Sequence, residues 1–157
     1  MRRVENDEIE RATASLKAAI EQTRAAGADG WPARKPKLAA ALAGLRPLEV
    51  HYVRKENQLF PYLEKHGIEG PSKVMWGIHD DIRARLASAH ANLAANDFAA
   101  ARADAEWSAQ AISDMVNKEE QILFPLSLDT LSAAEWQQIR VGEDAVGYAF
   151  ITDIPRW

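Results

Sequence analysis

The chain has 157 residues, 47% hydrophobic and 27% charged, which suits a single domain with a true core. Nineteen Lys and Arg against 23 Asp and Glu give a formal charge of −4, which argues against the basic face of a nucleic-acid binder, and the lack of cysteine excludes disulfides, thiolate metal sites and a cysteine nucleophile. No apolar run reaches the roughly 18–20 residues of a membrane span, and an acidic start without an apolar signal core predicts a soluble cytoplasmic protein.

Alanine-rich composition without β-branched runs predicts helix along most of the chain. The first helix is expected over residues 4–26, with Ile9, Leu16, Ala19 and Ile20 at helical spacing and Glu5, Glu8 and Glu10 near its positive end. Gly27 to Pro32 reads as a glycine cap followed by a turn. A second helix is expected over residues 36–65, kinked or divided at Pro47. Gly70-Pro71-Ser72 reads as a turn, and a third helix follows over residues 73–95 with Val74, Ile78, Ile82, Leu86 and Leu93 on one side. Asn96-Asp97 supplies a break and an N-cap, and the fourth helix spans residues 98–124 until Pro125 stops or kinks it. Ser132-Ala-Ala-Glu135 is a capping box opening a short fifth helix to residue 141.

Four long amphipathic helices on short turns bury their apolar faces most economically against one another. The expected fold is all-α, an up-down-up-down four-helix bundle over residues 1–141. Residues 142–157 form an apolar tail that packs on the bundle or leads to a further domain.

One short motif occurs twice. Lys55-Glu-Asn-Gln-Leu-Phe-Pro61 lies on the second helix and Lys118-Glu-Glu-Gln-Ile-Leu-Phe-Pro125 on the fourth, which suggests a pseudo-twofold bundle. His51 precedes Glu56 by five residues, about 140° around the axis, so the two flank one inward stripe. Counting outward from the turns places His51, Glu56, His79, Glu119, Glu120 and Glu5 near one layer at one end of the bundle. Imidazoles and carboxylates projecting inward from facing helices are how bundles hold paired non-haem iron or manganese. The bland alternative, glutamates solvated or paired with Lys55 and Lys118, explains each residue singly but not their common level. Tyr52 and Tyr62 lie near the same layer, either beside the site or as plain core.

The stretches from His51 to Ile68, from Val74 to Arg83 and from Lys118 to Pro125 resemble the hemerythrin-like (HHE cation-binding) family, and more closely the bacterial subfamily in which such a bundle precedes a PAS sensor domain. The resemblance implies a four-helix bundle with a non-haem diiron centre that meets dioxygen, nitric oxide or peroxide. It carries metal-ligand roles onto His51, Glu56, His79 and Glu119; Glu119 or Glu120 would bridge the metals in a diiron oxidase, and Glu5 is a substitute for the missing first-helix histidine. A hemerythrin uses five histidines, whereas this chain has four. His66 ends a helix and His90 lies three turns beyond His79, so neither is expected to ligate. Met115 stands four before Glu119, where the resemblance expects histidine, and reads as wall packing.

Two histidines with several carboxylates favour sensing, oxidase or peroxidase chemistry over reversible oxygen carriage, with manganese or zinc as alternative metals. Competing readings are a small diiron oxidase or peroxide-consuming enzyme, a metal-free helical interaction module, and a haem site on His79 and Met115. A sensor domain or a second copy of the chain is the expected macromolecular partner.

Overall fold

A computed structural model describes residues 2–150. The helical segments, in chain order, are α1 (Arg2–Ala26), α2 (Trp31–Ala43), α3 (Leu48–Arg54), α4 (Phe60–Lys65), α5 (Gly70–Ala94), α6 (Phe98–Lys118), α7 (Phe124–Thr130) and α8 (Ala133–Val146). Two π-helical turns, π1 (Lys55–Leu59) and π2 (Glu119–Leu123), join α3 to α4 and α6 to α7 without a break. The result is four rods. Contacts run α1 to α2, α2 to α5, α5 to α6 and α6 back to α1, which closes the four-helix bundle. The short α8 lies across α3 and π1.

The core takes in Ile9, Leu16, Ala19, Ile20, Ile82 and Leu93 of the stripes read from the sequence, joined by Leu59, Leu63, Ile112 and Leu123, whereas Val74 of the expected third-helix stripe is exposed. Burying such side chains supplies about 1.5–3 kcal/mol each before the entropy of ordering them is subtracted. Among the described residues no helix is long and apolar enough to cross a membrane.

Prolines account for most departures from the expected boundaries. The second helix starts at Trp31 rather than residue 36, because Pro32 suits the first turn of a helix and Trp31 packs edge-on against Phe98 at 5.0 Å. Pro47 divides that helix, α3 starting at Leu48 after a turn. Gly70-Pro71-Ser72 is not a separate turn but the opening of α5, with Pro71 again in the first turn. Pro125 does not stop the fourth rod, which runs on to Thr130. In π2 the Phe124 N–H bonds the Glu119 carbonyl five residues back, and this widened turn leaves room for the ring that follows. Pro61 follows π1 in the same way.

Both predicted caps are present. The Asp97 side chain accepts from the Ala100 N–H, and Ser132 and Glu135 form the reciprocal capping box. Helix α8 continues five residues past 141, to Val146. Beyond it, Gly147 turns with φ 96°, and Ala149 is buried. The rest of the apolar tail, 151–157, lies outside the described residues.

Far from the repeat, Asp104 is buried between α5 and α6 and accepts from Ser88 at 2.6 Å, Asn92 at 2.9 Å and Arg85 at 3.1 Å. Burial raises its pKa, but those donors outweigh it and hold the carboxyl below its ordinary value of 3.8. A depressed carboxyl contributes stability that is complete above the unfolded-state value and disappears as pH falls through the folded one. Asp104→Asn is therefore expected to flatten the fall in Tm below pH 4. Parallel acid melts of variant and parent with the same slope would refute this.

Candidate metal centre

The repeated motif is a repeated backbone feature. Each copy of Leu-Phe-Pro closes a π turn, and such turns are frequent at functional sites because the extra residue re-aims the side chains around it. Here they bring Lys55 and Glu119 to the bundle axis, where they are 3% and 1% exposed.

Two chains of contact carry the two histidines, and the first reaches Glu119. In the first, Arg54 grips Glu5 with both terminal nitrogens, Nη1 donating to Oε1 at 2.9 Å, and Glu5 Oε2 lies 3.2 Å from His51 Nδ1. In the second, Arg83 grips Glu56 through bonds of 2.7 and 2.9 Å, and Glu56 Oε2 lies 3.0 Å from His79 Nδ1. Both are arginine–glutamate–histidine relays, built from unrelated stretches of chain. In each, the carboxylate faces Nδ1 and leaves Nε2 directed elsewhere.

Nε2 of His51 lies 3.1 Å from Glu119 Oε2 and accepts from the Lys55 ammonium, which also pairs with Glu119 Oε1 at 3.1 Å. An ammonium donating to Nε2 assigns the His51 ring proton to Nδ1, against Glu5. Nε2 of His79 is buried and has no hydrogen-bond partner among the described residues. The His79 ring stacks on Tyr52 with centroids 3.9 Å apart and lies nearly parallel to Phe60 at 6.2 Å. The Tyr52 hydroxyl is likewise buried without a partner among the described residues.

Electrostatics follow from this packing. Burial pushes the Glu119 carboxyl up, but Lys55 and His51 together bring it down to about 2. Burial likewise works against ionised Glu5 and Glu56; the Arg54 and His51 contacts, and the His79 and Arg83 contacts, hold both below the usual carboxylate range. Burial lowers the His79 pKa against the pull of Glu56, so its imidazole is neutral at pH 7, with the proton on Nδ1 and a lone pair on Nε2. Burial and the Glu119 charge raise the Tyr52 phenol well above 10.

Of the residues singled out in the sequence, Glu5, His51 and Glu119 meet directly, and Glu56 meets His79. Glu120 is half-buried and faces α1, where Asn6 Nδ2 donates to it at 3.4 Å. Met115 is buried in the core. His66 is exposed and bonds Glu135 at 2.8 Å, and His90 lines a surface cleft with Leu86 and Arg83. Tyr62 bonds Gln138 of α8 at 2.9 Å. Sequence reasoning missed Arg54 and Arg83, which it left as ordinary charges, and weighed Lys55 only in the bland alternative as a partner of the glutamates, where the structure does pair it with Glu119; superposing the two Leu-Phe-Pro ends would have set Lys55 against Glu119.

Few of these donors are free for an ion. The Nε2 atoms of His51 and His79, plus one carboxylate, form a set that borderline metals such as ferrous iron accept. Glu5 and Glu56 each spend both oxygens on a guanidinium, and Met115 offers only a thioether. Among the described residues no three His, Asp or Glu side chains are arranged to hold an ion as they stand, with Lys55 seated between His51 and Glu119.

In comparisons with known proteins, the family model described as Hemerythrin HHE cation binding domain matches residues 3–127. No curated protein matches the chain.

Proposed function

The chain belongs to the hemerythrin HHE cation-binding domain family, and from that premise we propose that its bundle holds one non-haem iron ion and uses it to sense or handle dioxygen, nitric oxide or peroxide. The observation that carries this reading is the buried, unpartnered Nε2 of His79, a lone pair aimed into the interior with a carboxylate behind it. His79, His51 and Glu119 would hold the ion. Bound iron would supply a one-electron couple and an open position for a small ligand.

The chain's own residues do the rest. Glu5 and Glu56 fix the tautomer and orientation of the two imidazoles, the role a carboxylate plays behind a metal-bound histidine. Arg54 and Arg83 keep those carboxylates ionised and fixed. Tyr52 and Phe60 wall the His79 ring and exclude water from it.

Protein produced with iron is expected to carry about one iron per chain, with a visible spectrum that responds to dioxygen, nitric oxide or peroxide. His79→Ala and His51→Ala should abolish uptake, and Glu56→Ala should weaken it roughly 10–100-fold. His66→Ala and His90→Ala should leave it unchanged. Iron content measured by elemental analysis decides the matter: equal retention by all five variants, or none in the parent under any loading condition, would sink the reading.

A further inference from the structure

The two π turns set the repeats in register residue by residue. Lys55 corresponds to Glu119, Glu56 to Glu120, and His51 to Met115. One pair of equivalent positions thus carries opposite charges, and those two side chains bond each other across the bundle axis. Lys55 is nearly as buried as any leucine of the core, and its ammonium engages Nε2 of His51 as well as the Glu119 carboxylate. These are two of the donors assigned to the ion above.

Resting on that iron reading, we infer that Lys55 is the resident cation of this centre: its ammonium neutralises Glu119 in the metal-free bundle, competes with an incoming ion for Glu119 and His51, and limits the centre to one ion by standing where the other repeat has a carboxylate. A buried carboxylate with no counter-charge is strongly destabilising. Lysine suits exchange because its ammonium is a point charge on a flexible four-carbon stem, unlike the forked guanidinium groups that clamp Glu5 and Glu56. The Phe124 ring, 6.0 Å from Lys55 Nζ and only half-buried, gives the displaced ammonium a face to rest against nearer the surface.

The test compares parent, Lys55→Met and the double variant Lys55→Met/Glu119→Gln, each stripped with chelator and then titrated with ferrous iron under anaerobic conditions. Stripped Lys55→Met should melt at least about 5 °C below the parent. The double variant, which removes both charges, should recover most of that loss. On titration, Lys55→Met should bind iron at least about tenfold more tightly than the parent, since no fraction of the site is held by the ammonium. An unchanged melting point for the stripped single variant, or no recovery in the double, overturns the role of Lys55. So does a parent that binds iron as tightly as Lys55→Met, and that result leaves the iron reading standing. If neither binds iron while the stability pattern holds, the iron reading falls and Lys55 remains the resident cation.

Discussion

Arg54→Met is expected to destabilise the protein by about 3–5 kcal/mol, the cost of leaving one member of a buried ion pair alone. For a chain of this length that is on the order of 6–20 °C in Tm. Glu5 is 0% exposed and Arg54 2%. The guanidinium meets both carboxylate oxygens, donates to the Gly147 carbonyl at 3.2 Å and lies 3.6 Å from Glu143. Without it, among the described residues Glu5 keeps the Ala149 N–H at 2.6 Å and the His51 ring. Arg54→Lys should recover little, because a point charge cannot span both oxygens. Arg54→Met/Glu5→Gln should recover most of the loss, because no charge is then stranded. Urea unfolding of the four proteins tests this; a loss below about 1 kcal/mol for Arg54→Met would mean that the pair behaves like a surface salt bridge.

The second large effect separates two copies of one motif. Phe60 and Phe124 occupy the same place after their π turns, yet Phe60 is fully buried and Phe124 only half. Phe60→Ala should cost about 3–5 kcal/mol, the usual range for emptying an aromatic site in a core. Phe124→Ala should cost less than half as much. Phe60 also lies parallel to His79 and 6.4 Å from Trp76, so its loss opens a cavity against the imidazole that the proposed iron requires. Equal destabilisation by the two alanine variants would show that the repeats are packed alike and that the asymmetry carries no weight.

The pairing of His79 with Glu56 and of His51 with Glu119 was legible because helices have a fixed rise and twist. Counting from the turns put Glu5, His51, Glu56, His79 and Glu119 at one depth, and His79 and Glu56 lie 3.0 Å apart. The caps at Asp97 and Ser132 were legible because their side chains bond locally. The π turns were not. A run such as Lys-Glu-Asn-Gln-Leu has no propensity that distinguishes a bond to the fifth residue back from one to the fourth. The offset between the copies is a separate matter and was legible: the second has one residue more between its lysine and Leu-Phe-Pro, so counting back from those ends sets Lys55, not Glu56, against Glu119. Arg54 and Arg83 were invisible for a different reason. Their burial depends on which rod faces which, information that no local stretch holds.

The hydrogen bond from Ala149 to Glu5 joins residues 144 positions apart, and the one from Arg54 to Gly147 spans 93. Loops of that size close late, because their entropy must be met before any contact rewards it. Helices α5 and α6 can pair across the three residues between them long before the two ends of the fold meet. The clasp of Glu5, Arg54 and the chain beyond α8 is therefore among the last contacts made and the first undone. Contacts absent from the folding transition state act on the rate of unfolding and leave the rate of folding almost untouched. By that logic the arginine–glutamate relay next to the centre governs how long each folded molecule survives between openings, and with it how often water reaches the imidazoles.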